Sequence, residues 1–210
     1  MGKIALLILG GDVLTPDLAN IVHYDAVFCA DSGVGITRRL AIKPDYVLGD
    51  FDSVSEDDLN WARNCNSEIT VYPVEKDETD GELCAKLIAN KGFESVCVLG
   101  VFGGRIDHVF GNLQLLKYFF KIGIKAVAYH DGFEVSVVSG TNNFVASNGD
   151  LISVFALGKS VFVRLINLKY EYAGMLESGT ARGISNVALG DFTVESNGPT
   201  LVFHKKTCKA

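Results

Sequence analysis

The sequence predicts an α/β domain with a mostly parallel sheet over residues 1–131, followed by an all-β, sandwich-like domain over residues 132–210. Three observations predict it. Short apolar runs alternate with helix-patterned segments up to about residue 130, the mark of βαβ units. At His130-Asp131-Gly132 the helical periodicity stops. Beyond it only short β-type runs remain, punctuated by Gly, Asn and Asp, as in sandwiches and barrels.

In the first part the strand-like runs are Ile4–Leu9, Ala26–Ala30, Tyr46–Leu48, Ile69–Tyr72, Val96–Leu99 and Ala126–Tyr129. Three helices are marked near their starts. Ser55 before Glu56-Asp57-Asp58 reads as an N-cap with an acidic first turn. Thr79-Asp80-Gly81-Glu82 has the spacing of a capping box, and Leu83, Cys84, Leu87 and Ile88 then recur on one helical face. Val109, Leu113, Leu116 and Phe120 form a similar stripe after Asp107. Trp61, among Leu59 and Ala62, reads as core packing. In the second part the runs are Phe133–Val138, Asn143–Ala146, Leu151–Phe155, Val161–Leu165, Phe192–Val194 and Leu201–Phe203. The stretch from Leu168 to Asn186 reads as a long loop, and such loops in compact domains are often functional.

Hydrophobic residues make up 48% and charged residues 21% of the 210, an ordinary globular balance. With 19 basic and 25 acidic residues the net charge is −6, and no basic tract exceeds Lys205-Lys206. That argues against a nucleic-acid partner. An anionic substrate needs local cations or a metal to offset the overall field. The five cysteines (29, 65, 84, 97, 208) form no CxxC pair. Cys29, Cys84 and Cys97 lie in apolar runs, where free Cys behaves as a buried hydrophobe, so a reducing, cytoplasmic setting is expected. The run Ile4–Leu9 is too short for a signal peptide, and no run approaches a membrane span.

The chemistry gathers where the strands of the first part end. Their C-terminal ends run into Gly10-Gly11-Asp12, Asp31-Ser32-Gly33, Gly49-Asp50-Phe51-Asp52-Ser53, Lys76-Asp77-Glu78-Thr79-Asp80, and Gly103-Gly104-Arg105-Ile106-Asp107. In a parallel sheet these loops share one edge, where ligands bind. Turn formation explains the glycines but not the recurrence of carboxylates. Asp50 and Asp52 either point at one hard cation such as magnesium or form a solvated acidic turn. Gly103 and Gly104 let backbone approach a ligand, the helix start that follows favours anions, and Arg105 can fork phosphate oxygens. Asp107 either caps this helix or orients a ligand. Lys76 either pairs with Asp77 or reaches a phosphate. His108 reads as structural, and His23, His130 and His204 have no metal-ligand spacing. No Gly-x-Ser-x-Gly elbow or Cys/His pairing argues for covalent hydrolysis.

These motifs occur in a specific order: Asp31-Ser32-Gly33, Pro44-Asp45 before GDFDS at 49–53, Pro73 before KDETD at 76–80, GGRIDH at 103–108, and Leu168-Lys169-Tyr170 before Ser185-Asn186. So ordered, the chain resembles the bacterial-type thiamine pyrophosphokinase family over essentially its whole length. The resemblance implies an ATP-binding catalytic domain at 1–131 and a thiamine-binding β-sandwich at 132–210. It implies a homodimer with active sites between subunits. The implied reaction moves pyrophosphate from ATP to the thiamine hydroxyl, leaving AMP. Position by position it implies magnesium on Asp50, Asp52 and Asp80, with Asp80 also at the acceptor hydroxyl. Arg105 joins these three acids as catalytic, on phosphate. Asp31, Lys76, Thr79, Gly104 and Asp107 fall on the ATP side with it, and Ser185 and Asn186 on the thiamine side. Gly111 and Gly183-Ile184 depart from the family pattern. Rival readings are a pterin-type pyrophosphokinase, a non-catalytic nucleotide or thiamine sensor, and a metal-dependent phosphohydrolase. The complete set of acids with Arg105 argues against a sensor, while Ser185-Asn186 favours thiamine as acceptor.

Overall fold

The computed structural model describes residues 2–14, 21 and 23–207. The chain forms two compact units, Met1–His130 and Asp131–Ala210. In the first, β1 (Ile4–Ile8) pairs in parallel with β2 (Ala26–Ala30) and with β5 (Ser95–Leu99). β3 (Tyr46–Gly49) and β4 (Glu68–Val71) extend the β2 side, and β6 (Lys125–His130) extends the β5 side, all parallel. The order is therefore β6-β5-β1-β2-β3-β4. The chain winds outward from β1, then restarts at β5 on the opposite side. That reversal opens a crevice beyond the C-terminal ends of β1 and β5. Leu6, Leu7, Ile8, Phe28, Val47 and Leu99 are fully buried, because strands covered on both faces read as continuous apolar runs.

Among the described residues four helices join these strands: α1 (Gly33–Arg39), α2 (Glu56–Asn64), α3 (Asp80–Asn90) and α4 (Ile106–Lys121). The expected caps form at two of them. Ser55 Oγ accepts the Asp58 N–H at 3.2 Å. Thr79 Oγ1 accepts the Glu82 N–H at 3.2 Å while Glu82 accepts the Thr79 N–H at 2.9 Å, a complete capping box. Thr79→Ala should cost about 1 kcal/mol, read as a lower urea midpoint. α1 has Ser32 at its N-cap, but the side chain makes no cap bond. On α4 the buried side chains are Leu115, Leu116 and Phe119, so the expected stripe was offset. Of its four residues only Leu116 is buried, and the helix carries apolar residues on most of its circumference, so periodicity alone does not orient it. Trp61 is half-buried against the core cluster of β1, β2 and β3.

The second unit is antiparallel: β7 (Phe133–Phe144), β8 (Leu151–Ala156), β9 (Val161–Leu168), β10 (Tyr172–Leu176) and β11 (Asn186–Lys205). β11 is its spine. It pairs with β7 along most of its length, mainly through its first half with β9 and mainly through its second half with β8. The register shifts between Ser196 and Thr200, where Asn197-Gly198-Pro199 intervene and proline has no N–H for a ladder. The runs expected separately at Phe192–Val194 and Leu201–Phe203 are thus one strand, and the first half of the Asn143–Ala146 run is the end of β7. The Leu168–Asn186 stretch was expected to be a loop, but it contains β10, paired with β9. Gly174 inside that short strand masks its β pattern. Val161, Val163 and Leu165 point into the unit's core, and Phe162, Arg164 and Ile166 point out.

One buried polar cluster anchors this unit. Asp150 accepts hydrogen bonds from the N–H of Ser147 (3.0 Å), the N–H of Thr207 (2.9 Å) and Thr207 Oγ1 (2.8 Å). His204 Nε2 lies 2.8 Å from Asp150 Oδ2, and both side chains are at most 3% exposed. Burial pushes the Asp150 carboxyl up, but His204, Thr207 and Ser147 outweigh it and hold the group well below the usual carboxylate range. Cys29 and Cys84 are buried free thiols, Cys65 is a partly exposed one, and Cys97 is partly exposed. Cys208 lies outside the described residues. No helix among the described residues is long and apolar enough to cross a membrane.

Candidate active site

The crevice at the β1/β5 edge is built by backbone contact. Gly11 N donates to Gly100 O at 3.0 Å and Asp12 N to Phe102 O at 2.7 Å. A Cβ at Gly11 would lie 2.2 Å from Phe102 O, so this approach requires glycine. Beside it opens a cavity of about 790 Å³ within the first unit. Asp31 after β2, Asp50 and Asp52 after β3, and Asp80 at the start of α3 line it. Gly104 and Arg105, just before α4, line it too. The expectation that strand-end loops share one edge is met in these residues.

Asp31, Asp50 and Asp52 each turn one carboxylate oxygen toward the others, all within 4.8 Å. Two left-handed backbone positions produce this, Asp31 at φ 43° and Phe51 at φ 60°. Such positions at non-glycine residues cluster at functional sites. Phe51 packs against the core below, while its two Asp neighbours line the cavity. Asp31 Oδ2 accepts the Ser53 hydroxyl at 2.8 Å, and Asp31 Oδ1 is buried without a hydrogen-bond partner. Asp50 Oδ1 accepts the Asp52 N–H at 3.2 Å. That bond, with the Lys76 ammonium, holds the Asp50 carboxyl below the usual carboxylate range. Three converging carboxylates, one of which also has an oxygen orphaned in the interior, are a donor set suited to magnesium.

Asp80 stands apart from this trio. Its carboxyl is raised above the usual value, chiefly by burial, and Lys76 offsets only part of that. Lys76 Nζ lies 3.1 Å from Asp50 Oδ2 and 3.2 Å from Asp80 Oδ1, and it donates to Pro73 O at 3.1 Å. Burial pulls its pKa down, yet its bonds to the two acids outweigh that and hold it above the ordinary lysine value. Lys76 is not among the residues lining the cavity, and no ion pair joins it to Asp77.

On the opposite wall Arg105 and Asp107 face each other. Arg105 Nη2 donates to Asp107 Oδ2 at 2.6 Å and Nε to Oδ1 at 3.2 Å. The Asp107 carboxyl is lowered chiefly by Arg105, and Asp107 also accepts the His108 N–H. The N-cap of α4 is Arg105, so Asp107 does not occupy the cap position. Thr79 lines the cavity with its hydroxyl engaged in the capping box. Ser53 and Asn112 line it as well but had no assigned role in the sequence. The Ser53 position inside GDFDS was the available signal. Asn112 Nδ2 donates to Val101 O at 3.0 Å, tying α4 to the β5 loop.

The family model for the thiamin pyrophosphokinase catalytic domain matches residues 19–128, more than half of the chain. The chain belongs to the thiamin pyrophosphokinase family. The thiamine pyrophosphokinase of Bacillus subtilis (strain 168) is 32% identical over 126 residues, 60% of this chain and 59% of that protein. Thiamine pyrophosphokinase 1 of Oryza sativa subsp. japonica is 35% identical over 92 residues, 41% of this chain and 35% of its own length. The aligned stretch thus spans less than two thirds of each of these relatives. The crystal structure of the Bacillus subtilis thiamine pyrophosphokinase superposes with a TM-score of 0.85 at 25% identity, covering 97% of this chain and 99% of that one. The enzyme from Candida albicans shares the fold, with a TM-score of 0.79 at 17% identity, covering 98% of this chain and 90% of its own.

The remaining residues that matter to a thiamin pyrophosphokinase reading lie in the second unit. Asn186 is buried, and both ends of its amide bond to backbone. Oδ1 accepts the N–H of Tyr170 (3.0 Å) and of Val187 (2.9 Å), and Nδ2 donates to Tyr170 O at 2.7 Å. It therefore fixes the turn carrying Tyr170. Ser185 is exposed at φ 60°, and its N–H donates to Ser153 Oγ at 3.1 Å. Asn186 also borders a cavity of about 170 Å³ with Tyr170, Tyr172, Leu165 and Arg182, which Ser185 does not line.

Proposed function

We propose that this chain transfers the pyrophosphoryl group of ATP to the hydroxyl of thiamine, giving thiamine diphosphate and AMP. The observation that carries the reading is the convergence of Asp31, Asp50 and Asp52 in a glycine-walled cavity, in a chain of the thiamin pyrophosphokinase family. Phosphoryl-type transfer depends mainly on positioning and charge neutralisation. Asp31, Asp50 and Asp52 would hold magnesium. Bound there, the ion would offset phosphate charge and polarise the β-phosphoryl group.

The chain's own groups do the rest. The backbone of Gly104 lets phosphate approach closely. Arg105, exposed at the cavity wall, exchanges Asp107 for phosphate oxygens at little cost, since exposed ion pairs contribute little. Asp80, with its raised carboxyl, orients the thiamine hydroxyl or takes its proton within hydrogen-bond reach. Asn186 holds the Tyr170 turn on the thiamine side, where Ser185 offers a free hydroxyl. The first unit is the ATP-binding catalytic domain and the second the thiamine-binding domain. The enzyme works in the cytoplasm as a homodimer with active sites between subunits. Phe162 and Met175, paired across β9 and β10 and both exposed, support such an association.

One assay tests the reading. Incubation with ATP, magnesium and thiamine should yield AMP and thiamine diphosphate in equal amounts. ADP or free phosphate instead would mean another chemistry, and no turnover would mean a binding protein. Arg105→Ala should raise the KM for ATP about tenfold, with an unchanged melting temperature. Steady-state kinetics beside thermal unfolding checks both halves of that expectation.

A further inference from the structure

The cavity of the first unit is not acidic throughout. Leu9, just after β1, and Leu115, on α4, also line it, and both are buried. Each has a methyl carbon within 4 Å of the place where a Cβ on Gly81 would stand, so β1, α3 and α4 meet there in an apolar floor. Gly111 also lines the cavity. It stands four residues before Leu115, on the same face of α4. Glycine inside a helix is unfavourable relative to alanine. Packing gives no reason for it here: apart from its own helix and chain neighbours, no atom lies within 4 Å of where a Cβ on Gly111 would stand. The missing side chain leaves bare helix backbone toward the cavity, on which a flat ring can lie closely. Gln114, three residues on, lines the cavity beside it. Among the described residues nothing bonds its side-chain amide.

We propose that the purine of ATP packs on α4 at Gly111, above the floor of Leu9 and Leu115, and that the Gln114 amide reads its edge. Position along the helix selects the purine over the rings of thiamine. Gly111 lies six residues beyond Arg105, about 9 Å along the axis. With phosphate held at Arg105, that leaves room for a ribose in between, whereas thiamine is placed on the side of Ser185 and Asn186. The Gln114 carbonyl accepts from the 6-amino group of adenine while its NH2 donates to N7, a pairing that guanine, with acceptors at both positions, does not match. Gly111 and Gln114 are thus specificity-determining residues, and neither touches the reacting atoms. The inference rests on the reading that ATP occupies this cavity.

Equilibrium binding tests it apart from turnover. The full chain, with magnesium and without thiamine, is titrated calorimetrically with ATP and with GTP. Wild type should bind ATP at least about tenfold more tightly than GTP. Gly111→Ala should raise the Kd for ATP about tenfold, while the nucleotide-free variant melts about 1–4 °C higher than wild type. Lost affinity beside a raised melting temperature cannot come from a damaged fold. Gln114→Leu should bring the two Kd values within about threefold of each other. Gly111→Ala with wild-type affinity for ATP, or a wild type that binds ATP and GTP alike, would overturn the inference. In the turnover assay Gly111→Ala should raise the KM for ATP and not that for thiamine; a rise for thiamine alone would put the acceptor ring on Gly111 and overturn it as well. A wild type that binds ATP with the expected preference yet forms no thiamine diphosphate defeats the proposed reaction and leaves this inference standing. One that binds no nucleotide defeats both.

Discussion

Asp50→Asn should lower turnover by about 10²–10³-fold while leaving the chain folded. Asp50 is the carboxylate on which both halves of the acidic site depend. It supplies one of the three converging oxygens, and it is one of the two acids holding Lys76. The amide keeps the size and the acceptor of the Asp52 N–H, so the loop geometry survives. The charge does not survive, and with it goes a ligand for the ion and half of the lysine's compensation. Stability moves little, because two effects oppose each other. Asp50 is held below the usual carboxylate range, so its ionised form contributes stability above the ordinary carboxylate pKa, and that contribution is lost. Repulsion from Asp31, Asp52 and Asp80 is relieved at the same time. Kinetics of AMP formation beside circular dichroism checks both statements. Activity within threefold of wild type would remove Asp50 from the metal site.

Asp150→Asn should be the most destabilising conservative change in the second unit, at about 3–5 kcal/mol. Truncating one partner of a buried charged pair leaves the other uncompensated, and here the carboxylate also accepts from Ser147 and twice from Thr207. For a chain of this size each kcal/mol shifts the melting midpoint by about 2–4 °C, so a fall of roughly 6–20 °C is expected. The pH dependence has a definite sign. The folded carboxyl is depressed, so its contribution is complete above the unfolded value of 3.8 and is lost as pH falls below it toward the folded value. The gap between wild type and variant should therefore be constant near neutrality and narrow in acid below about pH 4. Paired thermal scans from pH 7 down to pH 3 measure it. A gap that stays constant throughout would mean that His204 does not depend on the charge of Asp150.

The α/β unit was legible because parallel strands covered on both faces appear as unbroken apolar runs, and because its working edge repeats the same residue types. Gly11, Asp31, Asp50 and Arg105 could be placed on one edge from strand order alone. The grouping within that edge could not. Asp80 was expected with Asp50 and Asp52 on one ion, whereas the structure groups Asp31 with them and turns Asp80 to Lys76. Side-chain direction decides this, and it follows from the left-handed backbone at Asp31 and Phe51, which no residue pattern announces. In the second unit, β10 was hidden by its central glycine. The continuity of β11 was hidden by Asn197-Gly198-Pro199, which reads as a turn and is instead an irregularity within one strand.

That long strand matters to the order in which a ribosome delivers the protein. All six strands of the first sheet exist before residue 131 is made, so that unit can close while later codons are still being read. The second unit has no such freedom. Within it β7 and β8 pair only with β11, and β9 has β10 on one side alone until β11 arrives. Unpaired strand edges must wait, exposed to neighbours, until β11 is translated. A frameshift or nick that removes residues 186–205 therefore takes the shared partner of three strands rather than one strand.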